Sequence, residues 1–207
     1  MSGQMIARQY SLAELRRDIA EDILGHARHG ADFYGHQLGF LRKLSIFFTP
    51  PMMCTALFRL SHWAWRHGYR RLAWGLGHLN QMLHGACLHP ASRIGGGLYI
   101  PHTVGVIFEG HGGRNLVLFA NAVVAAGKHH PQAWTGDEKS PLLGDDVTVG
   151  AYAVVSGRPI IGDRVRVAPC ATVQHDVPAD SMVVSANLTR IHTADTHPLV
   201  GSLHGYC

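Results

Sequence analysis

Charge is scarce in this chain: only 15% of its 207 residues are Asp, Glu, Lys or Arg, against 46% hydrophobic residues. That balance excludes a disordered chain and is enough for one or two packed modules with a real core. The formal net charge is +4, but the basic residues are scattered apart from pairs such as Arg16-Arg17 and Arg70-Arg71. No stripe forms a nucleic-acid footprint, although a mildly basic surface still attracts a phosphate-bearing ligand. Cysteine is equally sparse. Cys54, Cys87, Cys170 and Cys207 show neither CxxC spacing nor metal-type clustering, so thiols in a reducing compartment are the expectation. Long hydrophobic runs are missing too. The most apolar stretch, SIFFTPPMMCTALFRL, is interrupted by Pro50-Pro51 and is too short to span a bilayer, and the N-terminus is too polar for a signal peptide. A cytoplasmic protein with no stable membrane insertion is expected. No Walker or Rossmann glycine loop occurs, which argues against another kind of nucleotide-binding fold.

The first part of the chain has a helical period. Ser11 with Glu14 three residues on makes a capping box, and apolar residues at 12, 15, 19 and 23 continue a helix over 11–30. After a loop around 30–40, helices are predicted over 52–67 and 69–84, the first opened by Pro50-Pro51 and the two separated by Gly68. Aromatic residues recur every three to four positions here, so Trp63, Trp65 and Trp74 read as helix-packing residues.

From residue 94 the period becomes six. Ile94, Ile100, Val106, Leu118 and Val124 lie six or twelve apart, with Gly112 a weak member. Leu143, Val149, Val155, Ile161, Val167 and Val173 then follow without exception. Small residues usually come next (Gly95, Gly144, Gly150, Ser156, Gly162, Ala168). Small or apolar residues recur four places after the anchors (Leu98, Val104, Ala122, Val147, Ala153, Val165, Ala171). Neither a helix nor an alternating strand has this period; hexapeptide repeats do. Each short strand forms one wall of a triangular prism, the anchor plugs the interior, and several coils must stack to bury a core. The fold class is therefore mixed: an α-helical region over 1–88, a parallel β-helix over 89–192, and a tail over 193–207. A polar loop, 125–142, is thrown out of the coil, where insertions do not disturb stacking.

These features resemble a known family. The helical segment RLSHWAWRHGYRRLA, then HPASRIGGGLYIPHTVGV, then regular hexapeptides are similar to the serine acetyltransferase branch of the left-handed β-helix acyltransferases, over about residues 52–191. The resemblance implies left-handed coils, an exception to the usual right-handed crossover. It also implies a homotrimer, with pairing into a dimer of trimers open, and active sites between neighbouring coils. The co-substrate it implies is acetyl-CoA or another short acyl-CoA, with no metal. His102, one of 16 histidines, falls where the family's general base stands. Imidazole suits that role because its pKa lies near working pH. A second motif, NLVLFANAVVAAGKHHP, is similar to the sugar and xenobiotic acetyltransferases of the same fold, and makes His129 or His130 a rival or an assistant.

The departures bear on the acceptor. Pro101 stands where the serine enzymes carry an aspartate that orients the base. Cys87 replaces the pocket aspartate before the His-Pro pair, and Ser140 replaces the second pocket histidine. Ala125-Ala126 stand in place of a glycine pair. A free amino acid needs paired charges in its pocket, so a hydroxyl on a saccharide, glycan or natural-product intermediate is expected rather than free serine. True serine O-acetyltransfer with an altered pocket is the alternative, and a non-catalytic scaffold is an alternative of another class. For the donor, Ala153 matches a position whose backbone amide contacts the thioester arm, with Arg158, Arg164, Arg166 and Arg190 for the phosphates. The zinc carbonic anhydrase type on the same coil needs an HxxxxH pair that does not follow His102. The family's sulfhydrylase-binding tail ends in isoleucine, whereas this one ends in Tyr206-Cys207.

Overall fold

The computed structural model describes residues 10–34, 45–126 and 140–185, residues 30–34 by their backbone alone. Helix α1 (Leu12–Tyr34) opens on the capping box: the Ser11 N–H donates to Glu14 Oε2 at 2.7 Å, and the Glu14 N–H donates to Ser11 Oγ at 3.2 Å. It continues four residues past the loop start predicted near 30, since a single Gly30 costs a helix only about 1 kcal/mol. Helix α2 (Pro50–Arg66) carries its prolines in the first turn, where no intrahelical N–H is needed. Helix α3 (Arg70–His84) is closed by Gly85 in the left-handed conformation, its N–H donating to Gln81 O. The α2 and α3 faces meet as the aromatic spacing predicts. Trp65 and Trp74 pack edge to face, both contact His89, and the Arg70 guanidinium lies 3.6 Å over the Trp65 ring.

A buried ion pair joins α1, α2 and the start of the coil. Arg59 on α2 is 1% exposed and donates through Nε and Nη2 to both carboxylate oxygens of Asp22 on α1, at 2.8 and 2.9 Å. Arg59 also donates to the carbonyls of Ile94 and Gly95, while Asp22 accepts the N–H groups of Gly97 and Leu98. Burial pushes the Asp22 carboxyl up, and the Arg59 charge opposes that shift.

The rest is the left-handed parallel β-helix, built from short strands in three walls. The first wall stacks β1 (Cys87–Leu88), β3 (Ile107–Phe108), β6 (Val123–Ala125), β9 (Val154–Ser156) and β12 (Thr172–Val173). The second stacks β2 (Arg93–Ile94), β4 (His111–Gly112), β7 (Leu142–Leu143) and β10 (Ile160–Ile161). The third stacks β5 (Val117–Leu118), β8 (Thr148–Val149), β11 (Arg166–Val167) and β13 (Met182–Val183). Every pairing is parallel, and one coil advances 18 residues, as in Arg93↔His111 and Val154↔Thr172. Val123↔Val154 spans thirteen more; of the loop expected over 125–142, Ala125 belongs to β6 and Leu142 to β7, and 127–139 lie outside the described residues.

The predicted anchors from Ile94 to Val173 are buried, apart from Gly112, which is half-buried. Their neighbours Gly95, Gly113 and Gly144 form a column, and a Cβ on each would sit 2.6–3.0 Å from the backbone of the next coil. Close stacking requires these glycines; their own φ angles are not left-handed.

One stretch breaks the six-residue rule. From Tyr99, which bridges Val117, to Ile107 is eight residues, whereas from Val117 to Val123 is six. Two extra residues therefore lie between the third and first walls, and the next corner is two residues short. Phe108, not Val106, is the register partner of Val124. Val104, which falls four places after an anchor, is displaced to the corner and is 66% exposed, whereas Leu98, Ala122, Val147, Ala153, Val165 and Ala171 at the equivalent places are buried. The insertion and deletion cancel, so the sequence period passes through them unbroken.

Candidate functional site

That two-residue bulge carries His102. Ile100 before it is fully buried and Thr103 after it is buried, so the peptide is pinned on both sides while His102 is left exposed. Thr103 Oγ1 donates to the His84 carbonyl at 2.6 Å, and the Gly105 N–H donates to the Gly85 carbonyl at 3.0 Å. The bulge is thus tied to the C-terminus of α3. Beneath it, buried His84 bonds Asn80 Oδ1 through Nδ1 at 2.9 Å, and Asn80 Nδ2 donates to the Cys54 carbonyl. Burial holds the His84 imidazole below its usual range, so His84 serves as a neutral strut. The sequence held no signal for this strut beyond the position of Thr103 beside His102.

Cys87 lies half-buried on the outer side of β1, paired with Ile107. Desolvation, followed by the charge of Glu109, pushes its thiol above the usual range. A neutral thiol therefore stands where the resemblance places an aspartate, and Glu109 supplies negative charge beside it. Glu109 is not among the residues singled out from sequence. Pro101 is half-buried beside His102, and its ring offers no acceptor to orient an imidazole. Ser140 is buried just ahead of β7. His129, His130 and Arg190 lie outside the described residues.

The donor residues are less well gathered than the sequence reading expects. Ala153 is fully buried and its N–H donates to Gly150 O at 3.1 Å, so that donor is engaged within its own turn. Arg158 follows β9 at the corner between the first and second walls, while Arg164 and Arg166 sit around the next corner. Arg164 is already held by Asp180 through Nε and Nη2 at 2.6 and 2.8 Å. A common location for these arginines is therefore not found, and Arg158 and Arg166 remain as exposed cations on different faces. Among the described residues, no group of His, Cys, Asp and Glu converges as a metal site, and no helix is long and apolar enough to cross a membrane.

No family model matches the chain. It is 31% identical over 128 residues to the serine acetyltransferase of Mycobacterium tuberculosis, covering 61% of this chain and 54% of that protein. It is 30% identical over 149 residues to the serine acetyltransferase of Helicobacter pylori strain J99, covering 69% of this chain and 81% of that one. The chain thus spans about half the length of some curated relatives, the mycobacterial one included, and most of the length of others. Among solved structures, Entamoeba histolytica serine acetyltransferase 1 superposes with a TM-score of 0.71 at 22% identity, covering 84% of this chain and 64% of that one. Neisseria gonorrhoeae serine acetyltransferase in complex with serine gives 0.70 at 21%, covering 84% and 67%. These structural matches carry the fold. The Helicobacter match, at 30% identity over most of that protein, carries the membership: the chain belongs to the serine acetyltransferase family.

Proposed function

We propose that this protein is an acetyl-CoA-dependent O-acetyltransferase whose acceptor is the hydroxyl of L-serine, with His102 as general base. The observation that carries the reading is the placement of His102 within a chain of this family: an exposed imidazole on a bulge pinned by Ile100, Thr103 and α3. In the reaction, His102 takes the proton from the acceptor hydroxyl as its oxygen attacks the thioester carbonyl. The tetrahedral intermediate collapses, the carbon–sulfur bond breaks, and the imidazolium returns the proton to the departing thiolate. Holding the peptide rigid lowers the cost of presenting the base.

The relatives favour serine over the saccharide or natural-product acceptor expected from sequence. Their names are those of serine acetyltransferases, and the gonococcal neighbour was solved with serine bound. The charge argument behind a sugar acceptor is also weakened by Glu109, a carboxylate whose field reaches Cys87 on the same wall. That carboxylate is a counter-ion for the serine ammonium. A homotrimer with sites between coils belongs to the same reading and fits the exposure of His102 in a single chain. The loop histidines His129 and His130 stand in this reading as assistants to His102 or as rivals for its role.

The test is free-thiol release from acetyl-CoA across serine, homoserine, sugars and carrier-bound amino acids. Serine is expected to be the best acceptor, and His102→Ala to lower turnover on the order of 100-fold or more. A sugar emerging as the best acceptor would restore the other specificity. Acetyl-CoA binding without thiol release to any acceptor would make the protein a scaffold.

A further inference from the structure

The outer side of α3 is apolar. Ala73, Asn80 and His84 turn inward and are buried. At 3.6 residues per turn, Leu72, Leu79 and Leu83 fall in one outward row, with Gly75 and Met82 in the row beside it. All five are exposed, Met82 by 80% and Leu83 by 62%. A helix on the surface of a globular protein normally shows charge on that side, yet α3 carries no Asp, Glu, Lys or Arg after Arg71. Single exposed leucines need no explanation, whereas a continuous row of them marks an interaction surface.

The charge beside that row has one sign. No Asp or Glu occurs from residue 33 to residue 108, so neither α2 nor α3 carries a carboxylate side chain. Of their arginines, Arg59 is buried against Asp22, whereas Arg70 and Arg71 are exposed in the first turn of α3, at the head of the row. Arg70 lies over the Trp65 ring, which holds its guanidinium at this end. Cations at a helix N-terminus oppose the helix dipole, so helix stability does not account for the two arginines. A surface of hydrocarbon and positive charge complements one of hydrocarbon and negative charge. A second copy of the same face brings no acid to it. An anionic bilayer brings both, headgroup phosphates for the arginines and acyl chains for the leucines, and needs no hydrogen bond from side chains that make none. With 15 residues, or about 22 Å, α3 is too short to cross a bilayer and long enough to lie along one.

We propose that α3 docks this protein on anionic lipid bilayers, with Leu72, Leu79, Met82 and Leu83 entering the acyl boundary and Arg70 and Arg71 meeting the headgroups. Co-sedimentation of the full chain with vesicles tests this. Binding to vesicles of equal parts phosphatidylcholine and phosphatidylglycerol is expected to be at least about 10-fold tighter than to phosphatidylcholine alone, and to weaken as salt rises. Arg71→Gln is expected to weaken it about fivefold, the worth of one arginine near an anionic surface. Met82→Gln and Leu83→Gln should each cost about 10-fold, the worth of one apolar side chain taken from water. Both side chains are exposed, so these variants are expected to melt with the parent. Absence of binding to either vesicle overturns the proposal. So does equal binding to the two vesicles, or binding that neither salt nor the apolar substitutions reduce. A parent that sediments without lipid as a larger assembly than Met82→Gln or Leu83→Gln also overturns it, by assigning the face to contact between copies.

Discussion

On the first wall, one residue's charge acts on its neighbour. Cys87 brings a thiol that burial keeps protonated, and Glu109 brings the carboxylate that raises it further. If that carboxylate meets the ammonium of serine, neutralising it costs acceptor binding and spares the base. Glu109→Gln is therefore expected to raise the serine KM about 10-fold, the worth of a charge-assisted contact on a partly exposed wall. Its kcat should stay near that of the parent, which steady-state kinetics with varied serine checks. An unchanged serine KM would remove Glu109 from the pocket. The sequence singles out His102 as a candidate base because it matches a motif of the family it resembles. Glu109 is not singled out, since its role depends on which residue of the neighbouring strand stands beside it.

Between elements, the Arg59–Asp22 pair does the joining. It binds α1 to α2, and its remaining donors and acceptors hold the backbone of residues 94–98, where the prism begins. Other contacts reinforce the docking of α1: Arg114 with Glu21 at 3.1 Å, Arg28 with Asn115 at 3.1 Å, and His29 stacked on Tyr99. Gly25 allows the helix to touch the coil, since a Cβ there would lie 3.0 Å from Gly97 O. Asp22→Asn removes the bidentate partner of the buried Arg59 guanidinium and leaves it only the more distant Asp18, at 3.9 Å. The expected loss is about 3–5 kcal/mol, or on the order of 10 °C in melting temperature for a chain of this size, measured by calorimetry. A melting point within a degree or two of the parent would show that the pair contributes little. The helical periodicity carries no signal that singles out Asp22 or Arg59. Their pairing is 37 residues apart and arises only when both helices meet the first coil.

At the scale of the whole molecule, buried neutral histidines tie stability to pH. Desolvation holds His26 and His62 down to about 4. His26 packs edge-on to Tyr99 of the coil, near His29, while His62 sits against Tyr10 and Phe58, with the charges of Arg59, Arg66 and Arg93 nearby. Their folded-state values lie below the unfolded value near 6.5, so the stability they contribute is whole above pH 6.5. It is lost as pH falls from there toward 4, by up to about 3 kcal/mol for each site. Urea midpoints measured between pH 7.5 and 4.5 should fall over that window. His26→Leu and His62→Leu should each flatten the slope; an undiminished slope in both would place the acid sensitivity elsewhere.

What the sequence determined by itself was the repetitive part. A six-residue period needs no tertiary information, because each anchor fills the same interior as the one before it. The capping box, Pro50-Pro51 and Gly68 likewise mark helix ends through local backbone chemistry. Tertiary structure alone decided the rest. Two residues inserted before β3 and two lost after it leave the period intact, yet they exchange Phe108 for Val106 at the wall and turn Val104 and His102 outward. Arg158 and Arg164, expected to share a donor site, fall on different corners, because six residues along the chain is one wall around the prism. Periodicity records what each residue does for its own coil, whereas the site is made by what neighbouring coils and α3 set side by side.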